Sequence, residues 1–311
     1  MAESIRMVTQ RFRGRETMEG AGVRLRRMFG NSEVPLLDPF LLLDNFGSSD
    51  PADYLKGFPW HPHRGIETVT YMLNGQTAHE DSLGNKGVID SGDVQWMSAG
   101  SGILHQEMPQ RTEGALSGFQ LWVNLPKDHK LEDPAYRGVE SKDIPIVRGE
   151  DGRAVRVIAG EHEGVVGPVR HIPVDPLYLD VSLPAEAEFE LPVRKGHTAF
   201  AQAIEGSARF DPTGGTGVGA KARMPASDPD DADPSAPAGP GHTLVYGDGD
   251  RVQIRGGPDG VRFLLGAGRP LHEPVAWYGP IVMNSQAEIA EAISDLRRGT
   301  FVRSRRIVNE A

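Results

Sequence analysis

The feature that most limits what this chain can fold into is a two-residue rhythm, repeated in many short runs. Phe119, Leu121, Val123 and Leu125 alternate with Gln120, Trp122 and Asn124. Leu177, Leu179, Val181 and Leu183 alternate with Tyr178, Asp180 and Ser182. Successive side chains of an extended strand point to opposite faces, so each run predicts a strand with one face in a core. The runs are closed by turn formers: Asn74-Gly75, Ser91-Gly92-Asp93, Glu205-Gly206 and Gly256-Gly257-Pro258. Short strands at regular spacing predict an all-β sandwich or barrel. One helix is expected at about 285–298. Ser285 and Glu288 form a capping box, Ile289, Ile293 and Leu296 share a face, and Gly299 can close the end.

Two stretches break the rhythm. Residues 126–150, opening PKDHKLEDPAYRG, are polar and separate two strand-rich halves, which gives expected domains of 1–135 and 136–311. Residues 211–241 hold Gly, Pro, Ala and Asp with no aromatic residue and no Ile or Leu. Such a segment buries too little surface to offset its ordering entropy, so it reads as a flexible insertion between two strands.

Charge excludes one class of function. The chain has 33 Lys and Arg against 43 Asp and Glu, a formal net charge of −10. Phosphate backbones need clustered basic charge, and the basic runs here are short, at Arg24, Arg26 and Arg27 and at Arg303, Arg305 and Arg306. No direct nucleic-acid contact is expected. There is no cysteine, hence no disulfide, thiolate nucleophile or thiolate-held metal. No run of 18 apolar residues predicts a membrane span, and the first residues lack the apolar core of a signal peptide. The expectation is a cytosolic globular protein, with a monomer favoured and the oligomeric state left open.

The chemistry concentrates in two pairs. His61 and His63 stand as His-x-His in FPWHPHRGIE; His105 and Glu107 stand as His-x-Glu in GILHQEM. On strands, each pair shares a face. Two such pairs on neighbouring strands would converge, and three imidazoles with one carboxylate suit a divalent first-row metal: Fe, Mn, Co, Ni, Cu or Zn. Four protein ligands leave two octahedral positions open, a catalytic rather than a closed arrangement. If the first strand runs on regularly through GIETVTYMLNG, Glu67 also lies on the face of His61 and His63.

The order Gly57, His61, His63, Glu67, Gly75 is similar to the first motif of the cupin barrels, and Gly92, Gly100 and His105 to the second. FPWHPHRGIETVTYMLNG, AHEDSLGNKG, GDVQWMSAGSGILHQEM, GFQLWVNLP, LDPFLLLDNFG and RPLHEPVAWYGPIVMN together resemble the pirin family, over about residues 5–300. The resemblance implies two tandem cupin (jelly-roll-like) barrels with a C-terminal helix, and iron, Fe(II), in the first barrel only. It implies His61, His63, His105 and Glu107 as ligands, with Glu67 lining the pocket or supporting the ligands instead. The second barrel keeps His197 without a His-x-His. His162, His171, His242 and His272 are scattered and read as surface or structural. Two functions compete. One is quercetin 2,3-dioxygenase-type cleavage of a flavonol by O2 with release of CO, Glu107 being the general base. The other is a regulatory protein whose metal alters contacts with a protein partner. A cupin that binds metal without catalysis ranks last.

Overall fold

The computed structural model describes residues 3–212, 233 and 235–303. Among the described residues the chain is all-β apart from short 3-10 turns and one helix, Gln286–Arg298. Two compact units form, each cupin-like, and they are not the sequential halves expected. One unit joins Glu16–Ser141 to the segment from Leu271 onwards; the other joins the segment up to Arg15 to Lys142–Pro270. The two ends of the chain are thus exchanged between the units. The reason is long-range pairing. Strand Val8–Arg13 lies antiparallel to His242–Tyr246, and Arg6, buried ahead of it, donates to the carbonyl oxygens of Arg194, His197, Gly247 and Gly249.

The Glu16–Ser141 unit has two large sheets and, from its C-terminal segment, the small pair Ala276–Tyr278 and Ile281–Met283. The seven-stranded sheet runs, edge to edge, Ala135–Val139, Val94–Ser98, Ile66–Asn74, Leu116–Asn124, Phe40–Ser48, Val23–Phe29 and Arg15–Glu19. The four-stranded sheet runs Phe58–His63, Ile103–Pro109, Thr77–Asp81 and Lys86–Ile89. Hydrogen bonds do not join these sheets into the closed barrel that was expected; the unit is a two-sheet jelly-roll-like body, whose faces pack instead of its edges.

The helix forms as its caps predict. Ser285 Oγ accepts from the Glu288 amide at 3.3 Å, the Glu288 carboxylate accepts from Ser285 Oγ and from the Asn284 amide, and Gly299 ends the helix at φ +69°. Ile289 and Ala292 pack with Ile281, Met283 and Phe301. Beneath them Arg64, 1% exposed, meets Asp295 at 2.9 Å, donates to Phe301 O at 3.0 Å and stacks on the Phe301 ring at 4.2 Å.

The Lys142–Pro270 unit has a strongly bent eight-stranded sheet around an apolar core that includes Val157, Leu179, Val181, Ala201, Phe263 and Leu265, and a small separate hairpin of Glu161–His162 with Val165–Val166. Its bend lies in two long strands, Thr198–Arg209 and Arg251–Gly268, whose pairing slips at Ala203/Glu205 and Gly206/Ala208. Most of the 211–241 insertion, residues 213–232 and 234, lies outside the described residues. Its flanks are not loose: Asp211 is 3% exposed, and buried Ala238 bridges Ala208. Among the described residues, no helix is long and apolar enough to cross a membrane.

Candidate metal centre

The site is built on the four-stranded sheet. Strand Ile103–Pro109 pairs antiparallel with Phe58–His63, placing His105 opposite His61 and Ile103 opposite His63. Alternation then puts His61, His63 and His105 on one face, as their spacing predicts. Their candidate donor atoms all lie within 4.8 Å of one another, and the ring centroids are 4.3–4.9 Å apart.

The hydrogen bonds tell which nitrogen faces inward. His61 Nδ1 lies 2.9 Å from Pro59 O and His63 Nδ1 lies 3.2 Å from Pro280 O. A carbonyl can only accept, so both rings carry a proton on Nδ1. In neutral rings the two Nε2 atoms, 3.1 Å apart, then present lone pairs to each other. A cation between them removes that repulsion. His105 is wholly buried, and neither of its ring nitrogens has a hydrogen-bond partner. Burial, then the neighbouring His61, pushes the His63 imidazolium well below the ordinary histidine range; burial, then His63, His61 and His79, does the same to His105. Neutral imidazoles with free lone pairs are what a divalent ion requires. The residues present therefore fit a metal ion.

Glu107 shares the strand face of His105 but stands apart from the triad. The pairing slips between His105 and Glu107, so Glu107 faces Phe58 and not Pro59. Such a bulge re-aims a side chain. The Glu107 carboxylate accepts from Thr70 Oγ1 at 2.9 Å and from Gln120 Nε2 at 2.8 Å. Gln120 Oε1 in turn accepts from Trp122 Nε1 at 3.2 Å, and the Trp122 ring meets His63 edge-on at 5.0 Å. Each Glu107 oxygen keeps a lone pair for a cation.

Glu67 is not where a regular strand would put it. The first strand ends at His63, and Gly65 turns the chain into the other sheet at φ +78°. Gly65 is required twice, since a Cβ there would also lie 2.0 Å from Val282 O. Lys130 Nζ clamps the turn by donating to Gly65 O, Asn124 Oδ1 and Val282 O. After this break the parity is reversed: Thr70 faces the site, and Glu67 accepts from Trp96 Nε1 at 3.0 Å. The reading of Glu67 as a pocket or supporting residue is thus replaced by Thr70 and Gln120. Sequence reasoning also passed over His79, whose buried ring lies 5.4 Å from His105. The signal was present, because His79 and Asp81 alternate like the other pairs, and both are buried.

A cavity of about 740 Å³ opens on His61 and His63 and is walled by Gln120, Trp122, Trp277 and the Arg27–Asp44 pair. Arg27 donates to both Asp44 oxygens at 2.8 Å. Trp277 Nε1 is spent on Gly279 O at 2.7 Å, so the indole offers its face and not a donor.

Comparison with known proteins agrees with this architecture. Residues 22–123 match the family model described as Pirin, and residues 178–302 the one described as Pirin C-terminal cupin domain. A pirin-like protein of Caulobacter vibrioides is 43% identical over 298 residues, 96% of this chain and 99% of that one. Pirin of Homo sapiens is 43% identical over 296 residues, 94% of this chain and 93% of that one. The crystal structure of a quercetin 2,3-dioxygenase from Acinetobacter baumannii superposes with a TM-score of 0.81 at 32% identity, covering 96% of this chain and 99% of that one.

Proposed function

The chain belongs to the pirin family, and from that premise we propose that it is a metal-dependent dioxygenase of the quercetin 2,3-dioxygenase type, opening the heterocycle of a flavonol with O2 and releasing CO. The observation that carries this reading is the cavity of about 740 Å³ lined by His61 and His63 of the histidine triad. Its size suits a small aromatic ligand, and Trp122 and Trp277, 6.1 Å apart, offer apolar ring surface for one. The similarity to the Acinetobacter baumannii enzyme supports the same substrate class.

His61, His63 and His105 would hold the ion through their free lone pairs, with Glu107 as the fourth ligand, and we take Fe(II) as the native metal. Such an ion supplies Lewis acidity and the redox capacity that dioxygen chemistry needs. The protein's own part is proton handling and orientation. Glu107 takes the proton of the flavonol 3-hydroxyl, which makes the ring electron-rich. Thr70 and Gln120 fix the carboxylate for that transfer, and Trp122 couples Gln120 to the cavity wall.

The test is turnover. Protein reconstituted anaerobically with Fe(II) is given quercetin and air, and flavonol loss and CO are followed, with metal-free protein and Glu107→Ala as controls. Metal-dependent loss with CO is the expected result. No turnover with one iron bound per chain would overturn the proposal and turn attention to a protein partner.

A further inference from the structure

Behind Glu107 lies a second, much smaller cavity of about 20 Å³. Six apolar side chains wall it: Val23, Leu25, Phe46, Phe58, Pro109 and Leu116. Val23, Leu25 and Leu116 are each at most 5% exposed. Five polar residues also reach it: Asp44, Thr70, Thr77, Glu107 and Gln120. Each spends hydrogen-bonding capacity elsewhere. Asp44 receives both bonds of Arg27. Thr70 Oγ1 and Gln120 Nε2 donate to Glu107, and Gln120 Oε1 accepts from Trp122. The Thr77 hydroxyl points to Met72 Sδ at 3.7 Å.

That accounting decides what can occupy the space. A buried water needs about 2–4 polar partners, and apolar cavities stay dry and take up apolar guests. Here the side-chain donors are all engaged, so a water could donate to the remaining oxygen lone pairs but would find no side-chain donor to accept from, whereas six of the eleven lining residues offer an apolar guest a wall. The chamber is also placed usefully. Asp44, Phe58 and Gln120 line both it and the large cavity, and Glu107 forms part of its wall.

We propose that this chamber is a binding site for a small apolar gas, and that it holds dioxygen beside Glu107. The assignment of dioxygen rests on the proposed dioxygenase reading; the apolar-gas site itself does not.

Dioxygen is paramagnetic, which makes it its own probe. The full-length protein, loaded with diamagnetic Zn(II) and labelled at Val and Leu methyls, is pressurised with O2 and its methyl relaxation rates are compared with those under N2. The Val23, Leu25 and Leu116 methyls are expected to relax several-fold more than equally buried methyls of Leu179 and Val181. Val23→Phe, which fills the chamber, should abolish the excess at Leu25 and Leu116, and Leu116→Ala, which enlarges it, should increase it at Val23. Equal enhancement at both sets of methyls, or an excess unchanged in both variants, would overturn the site. With the Fe(II) protein, Val23→Phe should raise the KM for O2 several-fold and leave the KM for quercetin unchanged. An unchanged KM for O2 in an active variant would overturn the dioxygen assignment. A wild-type protein that binds O2 in the chamber yet fails to consume quercetin would support the gas site and sink the dioxygenase reading alone.

Discussion

The two units use the same kind of strand for opposite ends. In the Lys142–Pro270 unit the inward face is filled: Val157, Leu179, Val181, Phe263 and Leu265 are all wholly buried in one apolar core. In the other unit the strand Leu116–Asn124 buries Phe119, Leu121 and Val123 on one face, while Gln120 and Trp122 of the other face line a cavity. Both strands read as the same alternation. The difference is what the second face meets. A filled core needs nothing further, whereas a polar interior must satisfy each buried group or leave it costly. The Glu16–Ser141 unit does both, engaging Glu107 through Thr70 and Gln120 and leaving the nitrogens of His105 without a partner. One unit fills its interior with hydrocarbon; the other keeps a polar interior with hydrogen-bonding capacity unspent.

The strongest way to break this contrast is His105→Ala. It should take the metal content from one ion per chain to less than a tenth by elemental analysis and abolish turnover, while the far-ultraviolet circular dichroism stays that of the wild type. Full metal retention would show that the triad is not the site.

Leu179→Ala cuts the filled core and should cost roughly 2–5 kcal/mol, with metal content unchanged. A parallel loss of metal would mean the contrast between the units is not a division of labour.

Arg64→Met comes next. It removes one of three arginines that meet the buried Asp295, each at 2.9 Å, and should cost roughly 1.5–3 kcal/mol in urea unfolding. Asp295 also supplies a pH signature. Burial raises its carboxyl, but hydrogen bonds from Arg303, Arg64 and Arg298 outweigh that and hold it well below the ordinary range. A depressed carboxyl contributes stability above its unfolded value of about 4 and loses it as pH falls through the folded one. The stability gap between wild type and Asp295→Asn should therefore be full at pH 7 and narrow below about pH 4. A gap independent of pH would contradict the assignment.

The smallest effect is the sharpest. In metal-free protein, His105→Leu replaces an unpartnered buried imidazole with a hydrocarbon of similar size, and should stabilise by about 1 kcal/mol. In the presence of metal the order should reverse, because only the wild type gains binding energy. Stabilisation in both conditions would deny that the histidine is kept for a cation.

The sequence by itself determined everything that depends on near neighbours. Alternation named the strands, the Ser285–Glu288 box named the helix, and the two-residue spacing of His61 with His63 and of His105 with Glu107 put each pair on one face. The tertiary structure alone decided the rest. Gly65 reverses the parity of the strand that follows, so Thr70 and not Glu67 meets the site. The slip after His105 turns Glu107 toward Thr70 and Gln120. Val8–Arg13 and Gln286–Arg298 each belong with the unit remote in sequence. Periodicity is a local property that fixes which residues share a face. Which face turns inward, and which distant segment covers it, depends on bends and pairings that join residues up to hundreds of positions apart.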